Sequence, residues 1–206
     1  CVTIMSAMLG FLTVLLWATV AYSDISPMTD FCLDGMKGKW YNIGVASNAK
    51  WFTTHKANMK MGTVQVESTA DGDLHVTFTY LKGSCWEKSH VAKKTDTSGC
   101  FFYHSKRKSY SGSNNDMCVI DAKFDEFVII HVTNTKGGHS STYIKLCGRS
   151  PHLSNGVVEK FQKFALDNGI ESENILTLPP NGNVSNPFPL NCMKCLFKVK
   201  NILFLL

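Results

Sequence analysis

The sequence predicts an all-β chain: an eight-stranded up-and-down antiparallel barrel with one C-terminal α-helix packed outside. Three observations carry this. Eight runs rich in Val, Ile, Thr, Phe and Tyr follow one another between Trp40 and Leu146, separated by turn-forming residues. The triplet Gly38-Lys39-Trp40 opens the first run, and Arg149 follows the last. A single helical pattern comes after that arginine. Eight strands close on themselves without leaving an edge, and the interior is wide enough for one small ligand.

The chain has 206 residues, enough for one domain. Residues 1–4 precede the first Met and read as translated leader. Residues 5–23 form an apolar run ending in small residues at Ala21 and Ser23, the spacing of a signal-peptidase site, so residues 5–23 are expected to be a signal peptide. The run is short for a span and no basic flank follows it, so no membrane span is expected. The mature domain then covers residues 24–183, starting with a polar lead-in from Asp24 to Lys37.

The strand runs are Trp40–Ala46, Met59–Ser68, Leu74–Leu81, Cys85–Lys93, Cys100–His104, Met117–Ala122, Phe127–Thr133 and Ser141–Leu146. Breakers such as Ala70-Asp71-Gly72-Asp73, Thr97-Ser98-Gly99 and Lys136-Gly137-Gly138 separate them. Gly38 permits a tight approach that brings Trp40 under the sheet, where an indole can plug one end of a small barrel. Arg149 stacked on that indole would tie the first strand to the last. The helix is expected from Ser154 to Asn168, with Ser154 or Asn155 as N-cap and Gly169 past its end. Val157, Val158, Phe161, Phe164 and Ala165 recur at helical spacing to face the barrel. Ile175–Leu178 is expected as a short ninth strand. The tail at residues 184–206 is Leu/Phe/Lys-rich without pattern and is expected to be unstructured. Val184-Ser185 is what an in-frame GTAAGT splice donor encodes, so intron read-through would explain it.

A net charge of +5 arises from scattered lysines without a long basic block, which excludes a nucleic-acid partner. The seven histidines are dispersed, and no His-Glu-x-x-His, Gly-x-Ser-x-Gly or phosphate loop occurs, so no metal or cofactor is expected. Secretion makes the cysteines candidates for disulfides; of the eight, Cys1 lies in the expected leader, which leaves seven. Cys100 and Cys118 are equidistant from Ser109, so a hairpin centred there would place them opposite each other as a cross-strand bridge. Cys32 precedes Trp40 and Cys147 precedes Arg149, which makes Cys32–Cys147 a second candidate bridge near the plugged end.

The order of elements, with Gly-x-Trp before them and Arg after the eighth strand, resembles the lipocalins. Gly38-Lys39-Trp40-Tyr41-Asn42 and Lys94-Thr95-Asp96-Thr97 are similar to α1-microglobulin. Ala46-Ser47-Asn48 before Trp51, and Glu173-Asn174-Ile175, are similar to lipocalin-type prostaglandin D synthases, especially fish-like members lacking the catalytic cysteine. Lys123-Phe124-Asp125-Glu126 matches the second lipocalin motif, with Asp125 kept and Phe124 replacing a tyrosine. The resemblance implies a bridge from Cys85 to a cysteine after the ninth strand, here Cys192 or Cys195. It also implies a nucleophilic thiol on the second strand for the isomerase, and that position falls on Met61, whose thioether cannot be deprotonated. The exposed reductive thiol of α1-microglobulin falls on Ala49.

Three functions therefore compete. The first is a secreted, extracellular carrier of a small hydrophobic ligand such as a retinoid or fatty acid. The second is a prostaglandin-H2 D-isomerase, disfavoured by Met61, and the third is an interaction module. The candidate cavity lining is Asn42, Met59, Met61, Thr63, Phe78, Tyr80, Phe102 and Phe127. The oligomeric state is left open.

Overall fold

The computed structural model describes residues 25–180, apart from Gly83 and residues 108–109; the side chains of residues 81–85 and 106–111 are likewise not described. The expected leader, signal peptide and tail lie outside the described residues, and so does the bridge from Cys85 to Cys192 or Cys195.

Strands β1 (Gly38–Ser47), β2 (Gly62–Ser68), β3 (Leu74–Lys82), β4 (Ser84–Lys94), β5 (Cys100–Arg107), β6 (Tyr110–Lys123), β7 (Phe127–Lys136) and β8 (His139–Gly148) pair antiparallel in chain order. The sheet closes because β1 pairs with β2 through its first half (Trp40↔Val64) and with β8 through its second half (Ala46↔Ile144). A shift in register between Asn42 and Gly44 bends β1 between these two partners. Beyond the bend, β9 (Ile175–Thr177) adds to the outside of β1. The predicted strands are recovered, several of them longer than their apolar runs, although β2 starts at Gly62 rather than at Met59, which caps a 3-10 turn. The extensions are polar ladder ends such as residues 110–116, which carry little hydrophobic signal.

Three α-helices are present among the described residues. Helix α1 (Leu33–Met36) leads into β1, α2 (Lys50–His55) follows it, and α3 (Asn155–Asp167) follows β8. Ser154 occupies the N-cap position of α3 in extended conformation, and Gly169 takes φ +75° just past its end. Phe161 and Ala165 of α3 are fully buried against the outer wall of β1, β7 and β8, in a cluster with Ile43, Phe127, Ile129, Ile144 and Leu146. A second cluster fills the lower interior with Trp40, Val64, Val66, Leu74, Val76, Phe101, Met117, Val128 and Ile130.

One end of the barrel is closed by the plug that Gly38, Trp40 and Arg149 foreshadow. The Arg149 guanidinium lies 3.6 Å above the Trp40 ring. It also donates to the carbonyls of Phe124 (2.9 Å), Lys39 (3.0 Å), Gly35 (2.7 Å) and Lys37 (2.9 Å). Trp40 Nε1 donates to the Met36 carbonyl at 2.8 Å. Gly38 has φ +94°, and a Cβ there would lie 3.3 Å from Arg149 Nη1, so both its conformation and its space favour glycine. Asp125 is exposed in the turn between β6 and β7. The lead-in expected to be merely polar takes part in the closure: Met28, Phe31 and Leu33 pack on the inner cluster, with Phe31 edge-on to Phe101 and Phe124.

Cys100 and Cys118 face each other in the β5–β6 register and are disulfide-bonded. The Cys32–Cys147 candidate is corrected. Cys32 is exposed ahead of α1, whereas Cys147 points into the buried interior, so the two are free thiols on opposite sides of the wall.

Candidate functional site

The open end of the barrel, opposite Trp40, leads into a cup of about 470 Å³. The alternation of each strand decides what reaches it. From β1 come Asn42 and Val45, from β3 Phe78, from β4 Lys88, from β5 Tyr103 and Ser105, and from β6 Ser113 and Asn115. β7 supplies Val132, Asn134 and Lys136, and β8 supplies Tyr143 and Lys145. Trp51, Phe52 and Met59, from α2 and the turn after it, form the upper wall.

Rings and one ammonium group make the floor. Phe78 stacks on His90 (5.7 Å between centroids), and His90 stacks on Tyr103 (4.1 Å). Lys145 Nζ sits 4.6 Å from the centroid of Phe78. Beneath lies a void of only about 30 Å³ that reaches Met36 and Cys147, so the ligand space ends at this floor. Burial, with Lys145 and Lys88 nearby, pushes His90 down to about 4, so it is neutral at physiological pH. Burial pushes Tyr103 up to about 12 and lowers Lys145, which the charge of Lys88 lowers further.

The upper wall is polar on one side. Asn115 Nδ2 donates to the carbonyls of Tyr103 and Ser113 (3.1 Å each), and Asn134 Nδ2 donates to Asn115 Oδ1 at 2.7 Å. Across the cup, Asn42 Oδ1 is buried with no hydrogen-bond partner within the protein. An unpaired buried acceptor is costly, so it is poised for a donor on a bound molecule. Among the described residues, three lysines, Lys88, Lys136 and Lys145, line the cup, and no Asp or Glu does.

Of the sequence candidates, Asn42, Met59 and Phe78 line the cup. Tyr80 shares the face of Phe78 but stands at the rim, 39% exposed. The other four are placed elsewhere. Phe102 is on the outer face of β5, edge-on to His104, and its neighbour Tyr103 takes the inward position. Phe127 is buried in the outer cluster beneath α3. Thr63 faces outward, because the inner residues of β2 are Val64 and Val66. Met61 is buried in the outer cluster, while the register Asn42↔Gly62 puts Gly62 on the inner face. The expected nucleophile position at Met61 is thus one residue off the inward-facing one, and the inward residue is a glycine. The missed lining residues are mostly polar; only counting by twos from an inward residue, Val132 on β7 and Cys147 on β8, reaches Lys136 and Lys145, because the apolar pattern of these strands marks both faces.

Cys147 is an inward thiol, but it lies below the floor. Burial outweighs the attraction of Lys145 and pushes it up to about 11, so it is protonated at neutral pH.

Comparison with known proteins agrees with this geometry. The chain is 40% identical over 172 residues to a lipocalin of Rhinella marina, covering 83% of this chain and 92% of that protein. It is 33% identical over 174 residues to a prostaglandin-H2 D-isomerase of Ursus arctos, covering 84% and 88%. The solved structure of the siderocalin Ex-FABP, which functions through dual ligand specificities, superposes with a TM-score of 0.61 at 25% identity, covering 70% of this chain and 94% of that one. Residues 37–182 match the family model as well, and the chain belongs to the lipocalin / cytosolic fatty-acid binding protein family, whose members bind small hydrophobic ligands in a barrel.

Proposed function

We propose that this chain is a secreted carrier of a small hydrophobic molecule bearing an acidic head group, such as a fatty acid or a retinoic acid. The carrying observation is the cup itself: about 470 Å³, walled by Val45, Phe52, Met59, Phe78 and Val132, with three lysines and no carboxylate. Burying roughly 300 Å² of ligand surface at about 25 cal/mol per Å² yields about 7 kcal/mol before association costs, which supports at most micromolar binding. Lys145 at the floor, with Lys88 and Lys136 above it, would hold the charge, and Asn42 Oδ1 would accept from a hydroxyl on those acids that also carry one. The Cys100–Cys118 bridge supports an oxidising, extracellular location. Titration of tryptophan fluorescence, with Trp51 as the reporter in the wall, tests this. Retinoic acid is expected to quench saturably and about tenfold more tightly than retinol, and equal affinities or no saturation would refute the reading.

A second reading, prostaglandin-H2 isomerisation, draws on the similarity to the Ursus arctos enzyme and on the thiol of Cys147. The protonated state of that thiol and its place below the floor count against it. Prostaglandin H2 is expected to decompose to the same products with and without the protein.

A further inference from the structure

Among the described residues, five large hydrophobic side chains are exposed, and three of them crowd the mouth: Trp51 (50%), Tyr80 (39%) and Trp86 (53%). Tyr80 and Trp86 are a cross-strand pair at the top of the β3–β4 hairpin. Trp51 stands on α2, its ring stacked on His55 at 5.1 Å. A carrier needs an apolar interior, but it gains nothing in water from exposing two indoles on its rim.

Charge is divided along the barrel axis in the same sense. The segment Ser47–Met61, which caps the open end, carries Lys50, His55, Lys56 and Lys60 and no Asp or Glu. The β7–β8 turn adds Lys136 and His139, and Lys88 faces the opening from β4. Acidic groups at this end are few: Glu87, on the outward alternation of β4, Glu173, which pairs with Lys56 at 3.7 Å, and Glu171, which accepts from Asn174 beside the same lysine. The plugged end is mixed. Glu67, Asp71 and Asp73 flank the β2–β3 turn, and Asp121, Asp125 and Glu126 flank the β6–β7 turn, beside Lys93 and Lys94 at the end of β4, Lys123, and Lys37, Lys39 and Arg149 around the plug. A small net charge therefore conceals a basic, aromatic mouth above a base of mixed charge.

We infer that the mouth is a docking face for the anionic surface of a lipid bilayer, with Trp51, Tyr80 and Trp86 entering the headgroup layer and Lys50, Lys60, Lys88 and Lys136 supplying the attraction. Indole and phenol rings favour that layer because one edge is polar and the body is apolar. Each lysine held near an anionic bilayer contributes about fivefold in affinity, falling off within a Debye length. Docked this way, the cup opens onto the lipid from which an amphipathic acid would be taken, and in that purpose alone the inference rests on the carrier reading.

Co-sedimentation with vesicles tests it, using the full disulfide-bonded protein without added ligand. Binding is expected to vesicles of phosphatidylcholine containing about one-third phosphatidylserine, to be lost in high salt, and to be weak on phosphatidylcholine alone. Lys50→Glu with Lys60→Glu should weaken binding at least tenfold. Trp86→Ala should weaken it severalfold and reduce the blue shift of tryptophan emission. Lys93→Glu, at the plugged end of β4, makes an equivalent single charge change and should leave binding within twofold; thermal melts of each variant identify any that fail to fold. Absence of binding to anionic vesicles at low salt would overturn the inference and leave an acidic protein partner for this face. Loss in Lys93→Glu equal to that of a single Lys60→Glu change would also overturn it. Because vesicle binding is read without ligand, failure to bind retinoic acid and failure to dock are separate results.

Discussion

Replacing Arg149 by Ala removes a group that joins three parts of the chain at the plugged end. The guanidinium covers Trp40 at 3.6 Å and donates to four carbonyls, from Gly35, Lys37, Lys39 and Phe124. A partly desolvated cation–π contact contributes about 1 kcal/mol. The half-buried bonds to Gly35 and Phe124 contribute about 1 kcal/mol each, whereas water can replace Arg149 at the exposed carbonyls of Lys37 and Lys39 at little cost. The expected loss is therefore about 3 kcal/mol, read from urea denaturation followed by far-UV circular dichroism. Arg149→Lys keeps the charge without the planar fork and should lose about 2 kcal/mol. Affinity for retinoic acid should stay within twofold, because the floor of Phe78, His90 and Tyr103 separates the plug from the cup. A stability loss under 1 kcal/mol, or a large affinity loss with stability intact, would refute this assignment of the two ends.

The floor makes stability depend on pH. The unfolded chain protonates His90 near 6.5, while the folded barrel keeps it neutral until about 4, because burial strips water from the cation and Lys145, Lys88 and His75 repel it. Stability should therefore fall as pH drops from 6.5 to 4 and level off below, by about 2 kcal/mol after allowance for partial exposure; His90→Gln should flatten that slope in urea melts at stepped pH. Replacing both Cys100 and Cys118 by Ser should cost about 2–3 kcal/mol, as expected for opening a loop with a sequence separation of 18, visible as a lower urea midpoint. Met61→Cys should give a thiol that ligand in the cup does not protect from alkylation. Gly62→Cys should give one that it does protect, at some cost in stability, since a Cβ there meets the Thr79 carbonyl at 2.8 Å.

The fold was largely legible because local signals agreed with one another. Turn residues spaced the runs, the equal distances of Cys100 and Cys118 from Ser109 set a hairpin register, and Gly38, Trp40 and Arg149 marked the closed end. The inner face of each strand was harder to read. From Phe127 to Val132, β7 is buried at every position, because α3 covers its outer face while the core covers its inner one. Alternation vanishes there, and Phe127 was assigned to the wrong side. In β5, three aromatics in succession, Phe101, Phe102 and Tyr103, give no parity either. The resemblance puts the second-strand nucleophile position on Met61, one residue short of the inward-facing Gly62, and glycine has no side chain by which its face could be read. Lys88, Lys136 and Lys145 carry no apolar signal, so nothing in the hydrophobic pattern marks them as lining the cup. The rim could not be foreseen from single residues: Trp51 and Trp86 are 35 positions apart in the chain, and only closure of the barrel brings both to one end.

The central claim, an acidic head group held by the lysines of the cup, is tested most directly at Lys145, the lysine that reaches the floor. Calorimetric titration of a long-chain fatty acid and of its methyl ester into the wild-type chain and into Lys145→Gln supplies the comparison. The acid should bind the wild type about tenfold more tightly than the ester, as one charge-assisted contact of about 1.4 kcal/mol requires. In Lys145→Gln that preference should fall to threefold or less while ester affinity holds. An ester that binds the wild type as tightly as the acid, or a preference unchanged in the variant, would contradict the account.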